Sequence, residues 1–199
     1  TEAIVAIDPN PRAGMLHDRE DFVRGFEALA PDAALLKVGD DDAALLYETS
    51  LDELRQRLGD LGAQVVVATR GADGATIDAD GFVVSAPISV LPGPVVGAGD
   101  ATLSSLIAEL VRGGAPASAE GWKAALERAM DVAAATCRAE GALLRQPADP
   151  GASPLDRNAP VLVAQERARV GVAGLAIVGD EAMADNLGSA VHFVSPGVT

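Results

Sequence analysis

The chain has 199 residues and a formal charge of −14, from 15 basic and 29 acidic side chains. Nearly half of it (49%) is hydrophobic, which excludes disorder throughout, yet only 3% is aromatic, so the core must be built from Ala, Val, Leu and Ile. Its acidity, with no local basic patch, argues against nucleic acid and membrane surfaces as partners, no apolar run approaches the roughly 20 residues of a membrane span, and the single cysteine, Cys137, excludes an intrachain disulfide framework. These features lead us to expect a globular cytoplasmic protein.

Ala3 to Ile7 is a short apolar run, which reads as a strand buried on both faces. It stops at Asp8-Pro9-Asn10-Pro11-Arg12. Asp18 to Ala30 has helical spacing, with Asp18, Glu20 and Asp21 in the first turn and Phe22, Phe26 and Leu29 on one face. Ala33 to Val38 reads as a second strand, and Asp40-Asp41-Asp42 opens a short helical stretch through Tyr47. Ser50 and Glu53 form a capping box before a helix from Leu51 to Leu61, and Gln64 to Thr69 is a third strand. Asp80-Gly81 joins Ala75–Ile77 and Phe82–Ala86 as a hairpin. After a Pro-rich stretch, Pro87 to Pro94, Gly97-Ala98-Gly99-Asp100 leads into an apolar helix, Ala101 to Arg112. Ser118 caps a long helix to about Glu140, carrying Trp122, Leu126, Met130 and Ala134. Pro147 to Pro160 reads as a linker, and the remainder holds apolar runs at Val161–Ala164, Val170–Val178 and Val191–Val194. Strands alternating with helices indicate an α/β sandwich around a mostly parallel sheet, with some antiparallel hairpin content.

Gly97 to Asp100 is the segment most suited to chemistry. Two glycines let the backbone approach a ligand, and a helix start offers unpaired N–H groups and a positive dipole end that suit an oxyanion. A negatively charged aspartate there would oppose a phosphate unless it accepted the proton of a hydroxyl attacking that phosphate. A plain Gly-rich turn with Asp at a helix start is the alternative reading. Asp8 and Asn10 equally suit a turn beside two prolines, Lys37 a solvated strand end, and Asp40 to Asp42 an acidic helix start. His17 and His192 lack partners at metal-ligand spacing, and Cys137 reads as a small apolar residue.

Five segments in order resemble one family. Asp8-Pro9-Asn10-Pro11-Arg12 is similar to its strand-end D-x-N-x-R, Lys37 with Asp40 to Asp42 to its strand-end lysine and acidic cluster, and Thr69-Arg70-Gly71-Ala72-Asp73-Gly74 to its T-x-G-x-x-G turn. Gly97 to Asp100 matches its G-A-G-D signature, and Ala133 to Ala142 resembles its C-terminal helix with a final G-A. The family is that of the ribokinase-like, phosphofructokinase-B carbohydrate kinases, especially its fructokinase-like members. The resemblance implies a ribokinase-like (Rossmann-like) fold and ATP-dependent phosphorylation of a sugar hydroxyl. Asp100 would be the catalytic base, and Gly97, Ala98 and Gly99 the anion hole. Lys37, Thr69, Gly71 and Gly74 would line the ATP, and Asp42 would help organise Mg²⁺ through water.

Three departures qualify this expectation. Pro94 and Val95 stand where the family usually carries D-T, and Gly39 stands where it has Asn or Ser, with Asp42 one methylene shorter than the usual Glu. The matched segment corresponds to the C-terminal half of the family domain, so residues 1–147 read as the ATP-binding side of a truncated domain and residues 148–199 as a linker and unassigned tail. The partners expected are ATP, a small sugar, and either a second copy of the chain or a complementing N-terminal half. The alternative is a catalytically inactive remnant that binds nucleotide or pairs with a partner chain.

Overall fold

The apolar runs at Leu35–Gly39 and Val65–Thr69 become strands buried at every position but the last, and the amphipathic segments beside them become covering helices. The structure, a computed structural model, describes residues 4–12, 14, 16–88, 97–138, 144–147, 175–177 and 191–194. The strands are β1 (Ile4–Ile7), β2 (Leu35–Gly39), β3 (Val65–Thr69), β4 (Ala75–Ala79), β5 (Phe82–Ala86), β6 (Leu175–Ile177) and β7 (Val191–Val194). They lie in one sheet in the order β5-β4-β3-β2-β1-β7-β6. β1 and β2 pair in parallel, as do β2 and β3, whereas β7 runs antiparallel to both β1 and β6. The sheet is therefore mixed. Its antiparallel content goes beyond the expected hairpin, because β7 lies along β1 with Ile4 opposite Val194 and Ile7 opposite Val191.

By its internal contacts the chain divides into two compact units. The first comprises residues 1–69, 77–83 and 173–199, and the second residues 70–76 and 84–172. In the first, α1 (Arg19–Leu29) is capped by Asp18, whose carboxylate accepts from Asp21 N–H at 2.9 Å. Its buried face, Phe22 and Phe26, joins a core with Leu36, Val38, Val66 and Ala68. α3 (Leu51–Asp60) adds Leu51, Leu54 and Leu58 to that core. The capping box is present: Glu53 N–H donates to Ser50 Oγ at 3.2 Å and Ser50 N–H to the Glu53 carboxylate at 3.0 Å. The Thr49 hydroxyl, the Ser50 N–H and the Ser50 hydroxyl all donate to the Glu53 carboxylate and hold its pKa down to about 2. Between β2 and α3 the chain forms a single turn, α2 (Asp40–Asp42), and then a π-helical turn, Ala43–Tyr47, that ends on Glu48 in the left-handed region.

In the second unit α4 (Ala98–Gly113) and α5 (Ala119–Cys137) pack against each other. Ala101 of α4 meets Val132 and Ala133 of α5 in a small cluster, and Leu103, Leu106 and Leu110 of α4 and Trp122, Leu126 and Met130 of α5 are buried. Alanines at Ala125, Ala129 and Ala133 keep α5 slim on its buried side. Asp80 and Gly81 both have positive φ (51° and 80°), as a two-residue hairpin turn of mirror-image type requires. α4 begins three residues before the expected Ala101, so Gly97-Ala98-Gly99-Asp100 is the helix start itself rather than a lead into it. α5 ends at Cys137, short of Glu140, and Cys137 is half-buried. Pro94, Val95, Gly141, Ala142, the linker from residue 148 and the run Val161–Ala164 lie outside the described residues.

Candidate functional site

The expected site residues fall in two regions, one in each unit. The first lies at the carboxyl ends of β1, β2 and β3, where an open α/β sheet presents its ligand crevice. Parallel pairing sets Ile7 opposite Leu36, so Asp8 comes beside Lys37 one step further on. Lys37 Nζ donates to Asp8 Oδ2 at 2.8 Å, with only 9% and 6% of the two side chains exposed. Lys37 is therefore neither solvated nor open to bulk water, and its charge is matched within the fold. Asn10, just beyond, has a positive φ of 32° and accepts from Arg12 Nη1 at 2.8 Å.

At the end of β2, Gly39 pairs with Thr69 of β3. Thr69 Oγ1 donates to Val38 O at 3.3 Å, and a Cβ on Gly39 would stand 3.4 Å from that hydroxyl and 3.7 Å from Asp42 Oδ2. Those are ordinary contacts, so a side chain at position 39 would be accommodated while Asp42 folds back and accepts from Gly39 N–H at 2.6 Å. Asp42 is buried, and desolvation pushes its pKa up to about 6. The Gly39 bond works against that shift, the Asp8 charge adds to it and the Lys37 charge reduces it. Among the described residues, no three His, Cys, Asp or Glu side chains form a cluster that could hold a metal ion. A single carboxylate acting on Mg²⁺ through water needs no such cluster, since Mg²⁺ keeps several waters and takes the rest of its ligands from phosphate.

The second region holds the Gly71–Gly74 turn and the start of α4. A three-residue 3₁₀ turn, Gly71–Asp73, follows Arg70. Gly74 has φ +87°, and a Cβ there would lie 2.1 Å from Ala86 O, so only glycine fits. Gly97 is the N-cap of α4, with φ 81° and no side chain to cap the helix end. Ala101 N–H donates to Gly97 O at 2.9 Å, which leaves the amides of Ala98, Gly99 and Asp100 ahead of the first intrahelical bond. Asp100 sits in the first turn and its side chain is exposed. The carbonyls below are already served, since Ser104 Oγ donates to Asp100 O at 2.7 Å and Thr102 Oγ1 to Ala98 O at 2.8 Å. A helix start with amides ahead of its first intrahelical bond, a positive dipole end and an accessible carboxylate suits an oxyanion and a proton acceptor at once.

Of the expected residues, Asp42, Thr69 and Lys37 come together in the first unit, and Gly71, Gly74 and Gly97–Asp100 belong to the second. Two polar contacts were not anticipated from the sequence. The Asp8–Lys37 pair depends on strand register over a separation of 29 residues. A relay from Arg70 through Thr76 to Ser85 also escaped, although counting outward from a two-residue turn at Asp80–Gly81 sets Thr76 opposite Ser85.

A mixed sheet whose parallel strands end in these polar groups, with a glycine-led helix carrying an aspartate in its first turn, defines a ribokinase-like α/β fold. The chain belongs to the pfkB family of carbohydrate kinases: the family described as pfkB family carbohydrate kinase matches residues 5–149. Among solved structures, aminoimidazole riboside kinase from Salmonella enterica, complexed with aminoimidazole riboside and an ATP analog, is 26% identical, with a TM-score of 0.65 over 72% of this chain and 50% of that one. Fructokinase from Vibrio cholerae O395, with fructose, ADP and calcium ion bound, is 24% identical, with a TM-score of 0.60 over 69% and 45%. A putative ribokinase II from E. coli, in complex with ATP and Mg²⁺, is 20% identical, with a TM-score of 0.58 over 70% and 44%. The latter two likenesses speak for the fold alone. The chain spans about half the length of the solved structures it matches. The comparison with curated proteins gives no significant match. No helix among the described residues is long and apolar enough to cross a membrane.

Proposed function

We propose that this chain is the nucleotide-binding side of an ATP-dependent carbohydrate kinase of fructokinase-like type. The observation that carries the reading is the head of α4: an exposed Asp100 carboxylate one turn into a helix whose N-cap is a positive-φ glycine. ATP supplies the phosphoryl group. Asp100 takes the proton of the attacking sugar hydroxyl, and the amides at Gly97, Ala98 and Gly99 hold the oxyanion that develops on the phosphoryl group. The Gly71–Gly74 turn, with Thr69, lies along the nucleotide. Asp42 helps place Mg²⁺ through water, and Lys37 acts beside it by balancing Asp8. Residues 1–147 form the kinase part and residues 148–199 an appended segment. The remaining contacts to the sugar come from a complementing N-terminal half or a second copy of the chain, and a cytoplasmic setting suits the single cysteine.

The test is Asp100→Asn, assayed for phosphorylation of fructose in an assembly that contains the complementing half. Turnover should fall by about 10²–10⁴-fold while ATP binding persists, and turnover near the parent value would remove Asp100 from the role of base. A second reading, a module that binds nucleotide without turning it over, is favoured by the buried state of Asp42, whose carboxylate is already engaged by Gly39.

A further inference from the structure

The Gly71–Gly74 turn has little to hold it by packing. Gly71, Ala72 and Asp73 are exposed, and only Gly74 is buried. Its backbone closes on itself: Arg70 N–H donates to Gly74 O at 2.8 Å, and Asp73 N–H to Arg70 O at 2.9 Å. Gly74 then presses against the end of β5, where an added Cβ would meet Ala86 O at 2.1 Å and Pro87 Cα at 2.9 Å. That contact holds the Gly74 end of the turn, where it runs into β4, and a further tie reaches Arg70 at the other end.

The tie is a side-chain relay. Arg70 Nη1 donates to Thr76 Oγ1 at 2.8 Å, and Thr76 Oγ1 lies 2.9 Å from Ser85 Oγ. Arginine can only donate, so the Thr76 hydroxyl accepts from it and is free to pass its own proton to Ser85. Thr76 is buried (6% exposed) while Ser85 is exposed, so the relay leads from the turn, through the inside of β4, to the surface of β5. A bond from a charged donor to a buried hydroxyl is stronger than a neutral one, and links of this kind reinforce one another.

We propose that Arg70, acting through Thr76 and Ser85, is a positioning residue that holds the Gly71–Gly74 turn in the shape that receives the nucleotide. This rests on the reading of that turn as lying along ATP. Arg70 is not assigned a contact with the reacting atoms. Its effect falls on nucleotide affinity and not on the chemical step.

The experiment is calorimetric titration of the full chain with ATP–Mg²⁺, alongside hydrogen exchange of the amides at residues 71–74. Thr76→Val keeps the side-chain shape and removes the hydroxyl; it should weaken ATP–Mg²⁺ about tenfold and speed exchange in the turn alone. Ser85→Ala should weaken it about threefold. Arg70→Lys, which keeps a charged donor, should bind better than Arg70→Ala. Unchanged affinity in Thr76→Val would overturn the proposal, as would a loss of affinity accompanied by faster exchange throughout the chain. A parent chain that binds no ATP–Mg²⁺ would overturn the nucleotide reading and this proposal with it. A parent that binds while the variants match it would overturn the proposal alone.

Discussion

The strand ends of the first unit and the head of α4 in the second handle charge in opposite ways. At the strand ends, Asp8, Lys37 and Asp42 are buried and each is engaged by a neighbour. At α4 the Asp100 side chain is exposed, and the amides beside it precede the first bond of the helix. The difference separates groups fixed within the fold from a group open to solvent, which on the proposed reading is the one that reacts. A buried pair is costly to break and has little freedom to react, whereas an exposed carboxylate on a rigid helix start can exchange a proton without disturbing the fold.

Substitution on either side should test that division, and the largest effect is expected at α4. Asp100→Asn should lower phosphorylation by about 10²–10⁴-fold. Its unfolding midpoint in urea should stay at the parent value, since Asp100 is exposed and no described group depends on its charge. A large loss of stability in that variant would erase the contrast. At the strand ends the pattern should reverse. Lys37→Met removes the cation paired with the buried Asp8 carboxylate, and urea unfolding should show a loss of about 3–5 kcal/mol. Joint replacement, Asp8→Leu with Lys37→Met, should recover most of that loss, because an apolar pair carries no desolvation penalty.

A pH series sharpens the same point at Asp42. Its folded pKa of about 6 lies above the ordinary 3.8, so between those values the folded state binds more protons than the unfolded one. Stability from this group is fully present below pH 3.8 and falls as pH rises through 6. The full effect is at most about 3 kcal/mol, and Asp42→Asn should flatten that slope in unfolding measured from pH 4 to 7. Glu53 contributes in the opposite sense: its pKa is held near 2, so its stabilisation is present above 4.5 and fades as pH falls towards 2. The smallest effect is expected at the α3 cap. Ser50→Ala removes the acceptor for Glu53 N–H and should cost about 1 kcal/mol in urea unfolding.

Local chemistry explains which parts were legible in the sequence. The strands from Ile4, Leu35 and Val65, the cap at Ser50 and the Asp80-Gly81 turn depend on neighbouring residues alone, and they were readable as such. The start of α4 was read three residues late because Gly97-Ala98-Gly99 contains two poor helix formers, and there the glycines serve the helix end itself. The π-helical turn Ala43–Tyr47 left no pattern, since a single widened turn has no period to detect. The Asp8–Lys37 pair was hidden because it arises from pairing two strands whose partners lie 29 residues apart. Lys37, for which a solvated strand end was the alternative reading, is enclosed against Asp8. The pairing of β7 with β1 was equally out of reach, since an apolar run does not say which edge it will join.

Calorimetric titration of the full chain with ATP–Mg²⁺ tests most directly whether this chain receives a nucleotide, and it does so without needing the sugar. The expected result is saturable binding at one site that persists in Asp100→Asn. No heat of binding at millimolar ATP–Mg²⁺ would contradict it.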